Sequence, residues 1–223
     1  MDVLRTPDHR FSGLPDWPYE PHYTEVPNGD GGTLRVHHAE DGPADGPTVL
    51  LLHGEPTWGY LYRKMMPALA EEGIRSLVPD QVGFGRSDKP ADRGDYSYQR
   101  HVDWMQGWLN ATGPERLFFF GQDWGGLIGL RLVATDPERF AGLVVSNTGL
   151  PDGSGKPNDA FMAWQRFSQT AEEFPIGRII TGGCLSELPP DVIDAYDAPF
   201  PDDTFKEGAR IWPTLVPTSA DDP

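Results

Sequence analysis

The sequence predicts an α/β protein in which a mostly parallel sheet is flanked by helices and partly overlaid by a helical cap insertion. Three observations predict it: apolar runs of about five residues, segments of helical spacing between those runs, and a change of character after Asn147. A run that short, without interleaved polar residues, suits a strand buried on both faces, as a parallel sheet covered by helices requires.

Taken in order, the first thirty residues are rich in Pro, Asp and aromatics without a clear period and read as an extended arm. Residues 33–40 (TLRVHHAE) partly alternate and read as a strand, DGPADGP is a turn, and TVLLL at Thr48–Leu52 is a short buried strand. The same pattern returns at 74–78, at 116–120 (RLFFF) and at 141–145 (AGLVV). Helical spacing fills 61–72, 97–112 and 127–136, the last stopped by Pro137. Residues 151–157 are a Gly/Pro/Ser-rich link, and the stretch beyond is aromatic, loop-heavy and free of buried-strand runs. Residues 149–217 are therefore assigned to a helical cap over a core formed by 1–148.

Lys+Arg at 18 against Asp+Glu at 34 give a formal charge of −16, which argues against nucleic acid or an anionic membrane surface as a partner. Asp outnumbers Glu and Arg outnumbers Lys, a bias that fits either an ordinary acidic surface or a high-salt cytoplasm. With 38% hydrophobic and 11% aromatic residues the chain can bury a core. No apolar run approaches the roughly 20 residues that span a bilayer, and the N-terminus lacks a signal-peptide pattern, so the expected location is the cytoplasm. The single Cys184 excludes a disulfide framework and a multi-thiolate metal cluster, and is expected to be a small buried residue.

Chemistry concentrates in RLFFFGQDWGG, residues 116–126. An apolar strand runs through Gly121, Gln122 and Asp123 into a helix, the strand–turn–helix setting of a nucleophile elbow with Asp where Ser is more familiar. The flanking glycines permit a turn too tight for side chains. The helix N-terminus is expected to keep Asp123 ionised, and a carboxylate aimed out of the sheet can attack carbon to give an ester. The plainer reading is that Asp123 only caps the helix. In LLLHGEPTW (50–58) the loop after the strand offers the backbone N–H of Glu55, paired with that of Trp124, as an oxyanion-type donor set; His53 in this loop is read as structural.

These segments resemble the haloalkane dehalogenases of the α/β-hydrolase fold: HGEPTWGYLYRKMMP (53–67), PDQVGFGRSDKP (79–90) and QDWGGLIGLRL (122–132) carry the likeness. RTPDHRF (5–11), FMAWQ (161–165) and AYDAPFPDDTFKEGAR (195–210) extend it, to the subfamily acting on small haloalkanes, over nearly the whole chain. The resemblance implies that Asp123 displaces halide in line, leaving an alkyl ester. It implies that the indole N–H groups of Trp124 and Trp164 hold the departing halide, and that Phe161 and Leu127 wall an apolar pocket. For Glu55 it implies the backbone donor and a carboxylate that helps position the hydrolytic water. Its partners would be a small halogenated substrate, halide ion and water, with no metal and no organic cofactor.

The family order of nucleophile, acid and histidine requires a base after Asp123, yet the histidines are His9, His22, His37, His38, His53 and His101, all before it. Where some relatives place the acid, this chain has Ser146, Asn147 and Thr148. The sequence therefore reads as C-terminally truncated. Residues 1–148 would be the N-terminal arm and first six strands of the core, and 218–223 the start of its missing C-terminal part, the last two strands and final helix being absent. Exposed sheet faces and aggregation would follow. Two rivals remain. An epoxide hydrolase shares the Asp elbow but needs tyrosines in the insertion, where Tyr196 is the main one. A non-catalytic remnant would keep the pocket and lose the base.

Overall fold

A computed structural model of the chain describes residues 1–155 and 157–219. Its strands are β1 (Val3–Leu4), β2 (His22–Pro27), β3 (Thr33–Asp41), β4 (Thr48–Leu52), β5 (Arg75–Pro79), β6 (Lys89–Pro90), β7 (Leu117–Gln122) and β8 (Phe140–Ser146). Its helices are α1 (Met65–Glu71), α2 (Tyr98–Thr112), α3 (Trp124–Thr135), α4 (Asp159–Thr170), α5 (Ile176–Gly182), α6 (Pro190–Asp197) and α7 (Glu207–Leu215). Six strands form one sheet in the order β2-β3-β5-β4-β7-β8, while β1 and β6 pair separately. The strands β5, β4, β7 and β8 are mutually parallel; β2 and β3 join antiparallel at one end.

The central register sets Leu50 beside Leu77 on one side and Phe119 on the other. All three are buried, so the apolar runs end as the middle of the sheet. Helix α3 covers the Phe119 face, where Gly129 packs against that ring, and α2 lies beside it over β2. Helix α1 packs against β5 and β3 on the opposite face, where Met65 and Leu69 line a cavity with Leu51 and Phe118. Two caps fix helix starts: the Ser97 hydroxyl accepts from the Arg100 N–H at 3.1 Å, and Asn158 Oδ1 accepts from the Phe161 N–H at 2.8 Å.

The N-terminal arm is a strap. Arg5 donates twice to Asp88, at 2.7 and 3.0 Å; Thr6 Oγ1 donates to the Pro199 carbonyl at 2.6 Å, and Arg10 donates to the carbonyls of Ala198 and Asp197. It thereby joins the loop before β6 to the end of α6.

Several expectations are corrected. The arm contains β2, hidden in sequence because the strand is polar and half exposed and gains its order from the ladder to β3. The expected helix over 61–72 is a 3₁₀ turn at Gly59–Tyr62 followed by the shorter α1. Helix α3 begins at Trp124, directly on the elbow, rather than at Leu127. Cys184 is exposed, because it follows the C-terminal turn of α5 in a segment with little packed over it. The expected junction at 218–223 lies, from residue 220 onward, outside the described residues. Among the described residues no helix is long and apolar enough to cross a membrane.

Candidate active site

The elbow forces Asp123 to φ 53° and ψ −124°, a conformation that side-chain-bearing residues rarely hold and that packing must enforce. Two glycines make room for it. A Cβ on Gly54 would lie 2.4 Å from Asp123 Cβ, and one on Gly125 would lie 1.8 Å from the Leu52 carbonyl oxygen. Thr148 Oγ1 donates to the Asp123 carbonyl at 2.6 Å, tying the residue to the segment after β8. Asp123 makes no side-chain cap to α3, so the plain capping role does not describe it. The Glu55 N–H donates to Asp123 Oδ1 at 2.8 Å instead.

Burial pushes the Asp123 carboxyl above the ordinary aspartate value, against the pull of the Glu55 and Trp124 backbone N–H groups. Loss of water around the carboxylate outweighs the two peptide donors in the direction of that shift, while both donors favour the ionised form. Glu55 is pushed up further, by burial first and by the neighbouring Asp123 charge second. Its Oε1 is buried and has no hydrogen-bond partner among the described residues. Burial and the neighbouring Asp123 charge thus both favour the protonated form of the Glu55 carboxyl, which in that form can donate a hydrogen bond.

The loop that presents Glu55 is clamped from β5. His53 Nε2 accepts from the Gln81 N–H at 3.0 Å, which leaves the ring proton on Nδ1 to donate to the Gly54 carbonyl at 3.1 Å; the Gln81 amide returns a bond to the His53 carbonyl at 2.7 Å. Asp80, missed in the sequence reading although it stands in PDQVGFGRSDKP, accepts from Gly59 N–H at 2.8 Å, Arg86 N–H at 2.7 Å and His37 Nδ1 at 2.7 Å. Burial alone would raise its carboxyl, but His37, aided by His53 and the Arg86 N–H, holds it at about 2. A fixed anion thus anchors the Gly59 end of the loop, and Gln81 holds the His53 end.

Asp123, Glu55, Trp124, Leu127, Phe161 and Trp164 all line one cavity of about 270 Å³, with Pro213 and Val216 from the α7 end. Pro213 and Val216 carried no sequence signal beyond being apolar. A wider cleft of about 760 Å³, walled by residues 147–149, 151–155, 157–158 and 216–218, shares Gly149, Pro151, Phe161 and Val216 with it, so the two are contiguous. The smaller cavity is the chemical one, since it contains the carboxylate. Neither the Trp124 nor the Trp164 indole N–H has an acceptor among the described residues, whereas Trp58 donates to the Ala195 carbonyl at 3.0 Å and Trp104 to that of Asn28 at 3.4 Å. The Trp164 ring is held by stacking on Phe167 and Phe174, each at 5.8 Å.

No histidine hydrogen-bonds Asp123 among the described residues, and no group of His, Cys, Asp and Glu there could hold a metal. No tyrosine lines the cavity; the Tyr196 hydroxyl instead accepts from Arg63 Nη1 at 3.2 Å.

A carboxylate on a strained strand-to-helix turn, at the carboxyl end of a parallel sheet, defines an α/β hydrolase with an aspartate at the elbow, and the family model described as alpha/beta hydrolase fold matches residues 47–185. The chain is 54% identical, over its full length, to a haloalkane dehalogenase of Psychrobacter cryohalolentis and 49% identical to one of Mycobacterium marinum, covering 74% and 75% of those proteins. Among solved structures it superimposes on the tetrameric haloalkane dehalogenase DpaA of Paraglaciecola agarilytica with a TM-score of 0.93 at 37% identity, over 100% of this chain and 74% of that one. The chain belongs to the haloalkane dehalogenase family of α/β hydrolases.

Proposed function

We propose that Asp123 displaces halide from small haloalkanes, with Trp124 and Trp164 receiving the leaving group. A carboxylate oxygen of Asp123 attacks the carbon opposite the halogen. The C–O bond forms as the carbon–halogen bond breaks, and the electron pair leaves with the halide. The observation that carries this reading is one apolar-walled cavity holding a strained carboxylate and two indole N–H groups that no protein acceptor uses. Neutral donors suit a transient anion: they stabilise charge developing in the transition state without binding the product as tightly as a cation would. Leu127 and Phe161 exclude water from the alkyl chain.

The second half of the hydrolysis returns the carboxylate by adding water to the ester, giving alcohol and a proton. No histidine faces Asp123 to take that proton, so within these residues the ester outlives the halide. The Glu55 and Trp124 backbone N–H groups would polarise the ester carbonyl, with the Glu55 carboxyl beside them. We assign 149–217 the role of a cap that closes the cavity, and place the reaction in the cytoplasm on the evidence of a single cysteine.

Incubating the chain with 1-bromobutane tests the reading by bromide release and intact mass. We expect at most one bromide per chain and a butyl adduct on the peptide containing Asp123, both absent in Asp123→Asn. Because only the ionised carboxylate attacks, and its proton affinity is raised, adduct formation should slow as pH falls, at a higher pH than an ordinary aspartate would give. Diol from styrene oxide without bromide release would favour the epoxide rival. Neither product nor adduct would leave a binding role alone.

A further inference from the structure

Trp212 is fully buried in α7 and takes no part in the steps above. Its ring stacks on Trp124 with centroids 5.0 Å apart and planes 28° apart, and packs on Phe84 at 4.1 Å. Its Nε1–H donates to His101 Nε2 at 2.5 Å, an acceptor supplied by α2 from beneath the cap. Burial pushes the His101 ring down to about 3, so at neutral pH it is uncharged and offers that lone pair. Tyr98 meets Trp124 edge-on at 5.3 Å and is itself anchored through its hydroxyl to the Leu127 carbonyl at 2.6 Å.

We propose that Trp212, locked by His101, is a positioning residue that aims the Trp124 indole at the halide and couples α7 to the elbow. The inference rests on the reading of Trp124 as a halide donor. A donor whose N–H is kept free for a ligand has no hydrogen bond to set its own ring angle, so neighbouring rings must set it. Trp212 offers a flat face for that purpose, and its own rotation is stopped by the bond to His101. The same stretch supplies Pro213 and Val216 to the cavity wall, so any shift of α7 changes pocket shape and donor direction together.

Bromide titration of the chain, followed by tryptophan fluorescence, tests this. Trp212→Phe keeps a stacking ring and loses the N–H; His101→Leu removes the acceptor; His101→Gln restores one. We expect the first two to weaken bromide binding roughly three- to tenfold, the worth of one net hydrogen bond, and His101→Gln to recover most of it. Trp124→Phe is the control: unchanged binding there overturns the halide reading itself. If Trp124→Phe weakens binding while Trp212→Phe and His101→Leu lower only the melting temperature, the positioning role is overturned alone. Should the variants not fold, indole ¹⁵N–¹H spectra of the unsubstituted chain decide. Bromide must then shift three indole signals, the two donors and the exchange-protected Trp212; movement of the two donors only refutes the coupling.

Discussion

At one end of the sheet β2 turns His22, Tyr23 and Glu25 outward and closes on Pro27; at the other end β8 turns out Leu143, Val144 and Val145. The first is a managed edge: charged and ring-bearing side chains and a terminal proline discourage another strand from joining, while Val26 alone is buried under α2. The second has the composition of an interior strand, with no charge from Phe140 to Ser146 and apolar side chains open on both faces. Val144 is 57% exposed, and Phe118 on the neighbouring β7, opposite Gly142, is 46% exposed. Hydrophobic pattern reports the burial a strand is built for, whereas neighbours decide the burial it receives.

The widest gap between sheet centre and sheet edge should appear in truncations. Leu50→Ala, at a fully buried position, is expected to cost about 2–5 kcal/mol, and Val144→Ala at most about 0.5 kcal/mol, by urea unfolding. A comparable loss at Val144 would mean that β8 is covered in solution, and the contrast would collapse. Acid should separate the two ends next. The His38 ring, buried and stacked on His22 at 5.1 Å, is held down to about 4 by burial first and by neighbouring charges second. Its folded value is depressed, so its contribution is present above the unfolded value near 6.5 and is lost as pH falls towards 4. The slope is about 1.4 kcal/mol per pH unit for one such group. Buried His101 adds to the global loss in the same direction. Hydrogen exchange should therefore quicken selectively along β2 and β3 below pH 6.5, while β8, without a titratable side chain, follows only the global melt. Smallest in stability, though plain in light scattering, is Val144→Lys: it should lower self-association and leave the melting temperature nearly unchanged.

The contrast also explains what was legible in the sequence. Runs such as TVLLL and RLFFF declare strands because their burial is written in consecutive residues, and the elbow declares itself through Gly121, Asp123 and Gly125 at fixed offsets. Strand β2 stayed hidden since HYTEVP is ordered by its pairing with β3 and not by its own pattern. Asp123, Trp124, Trp164, Glu55, Phe161 and Leu127 could be nominated one by one, yet their meeting in one cavity needs the fold. The raised proton affinity of Asp123 is similarly invisible, because it is the balance of burial against two peptide donors. The partnership of Trp212 with His101 spans 111 positions and has no local signature. Cys184 misled because cysteine's usual preference for the interior says nothing about a segment left outside it.

The strap formed by the first residues has a consequence for how the molecule is made. Thr6 and Arg10 bond to Pro199, Ala198 and Asp197, partners 187 to 193 positions away. During synthesis the arm is made before those partners and must wait for the almost two hundred residues between them. Its docking cannot precede the synthesis of α6, and its entropic cost grows only slowly with that long separation. The amino terminus acts as a late latch: the sheet can assemble without it, but the end of α6 cannot be fastened until translation has passed residue 199.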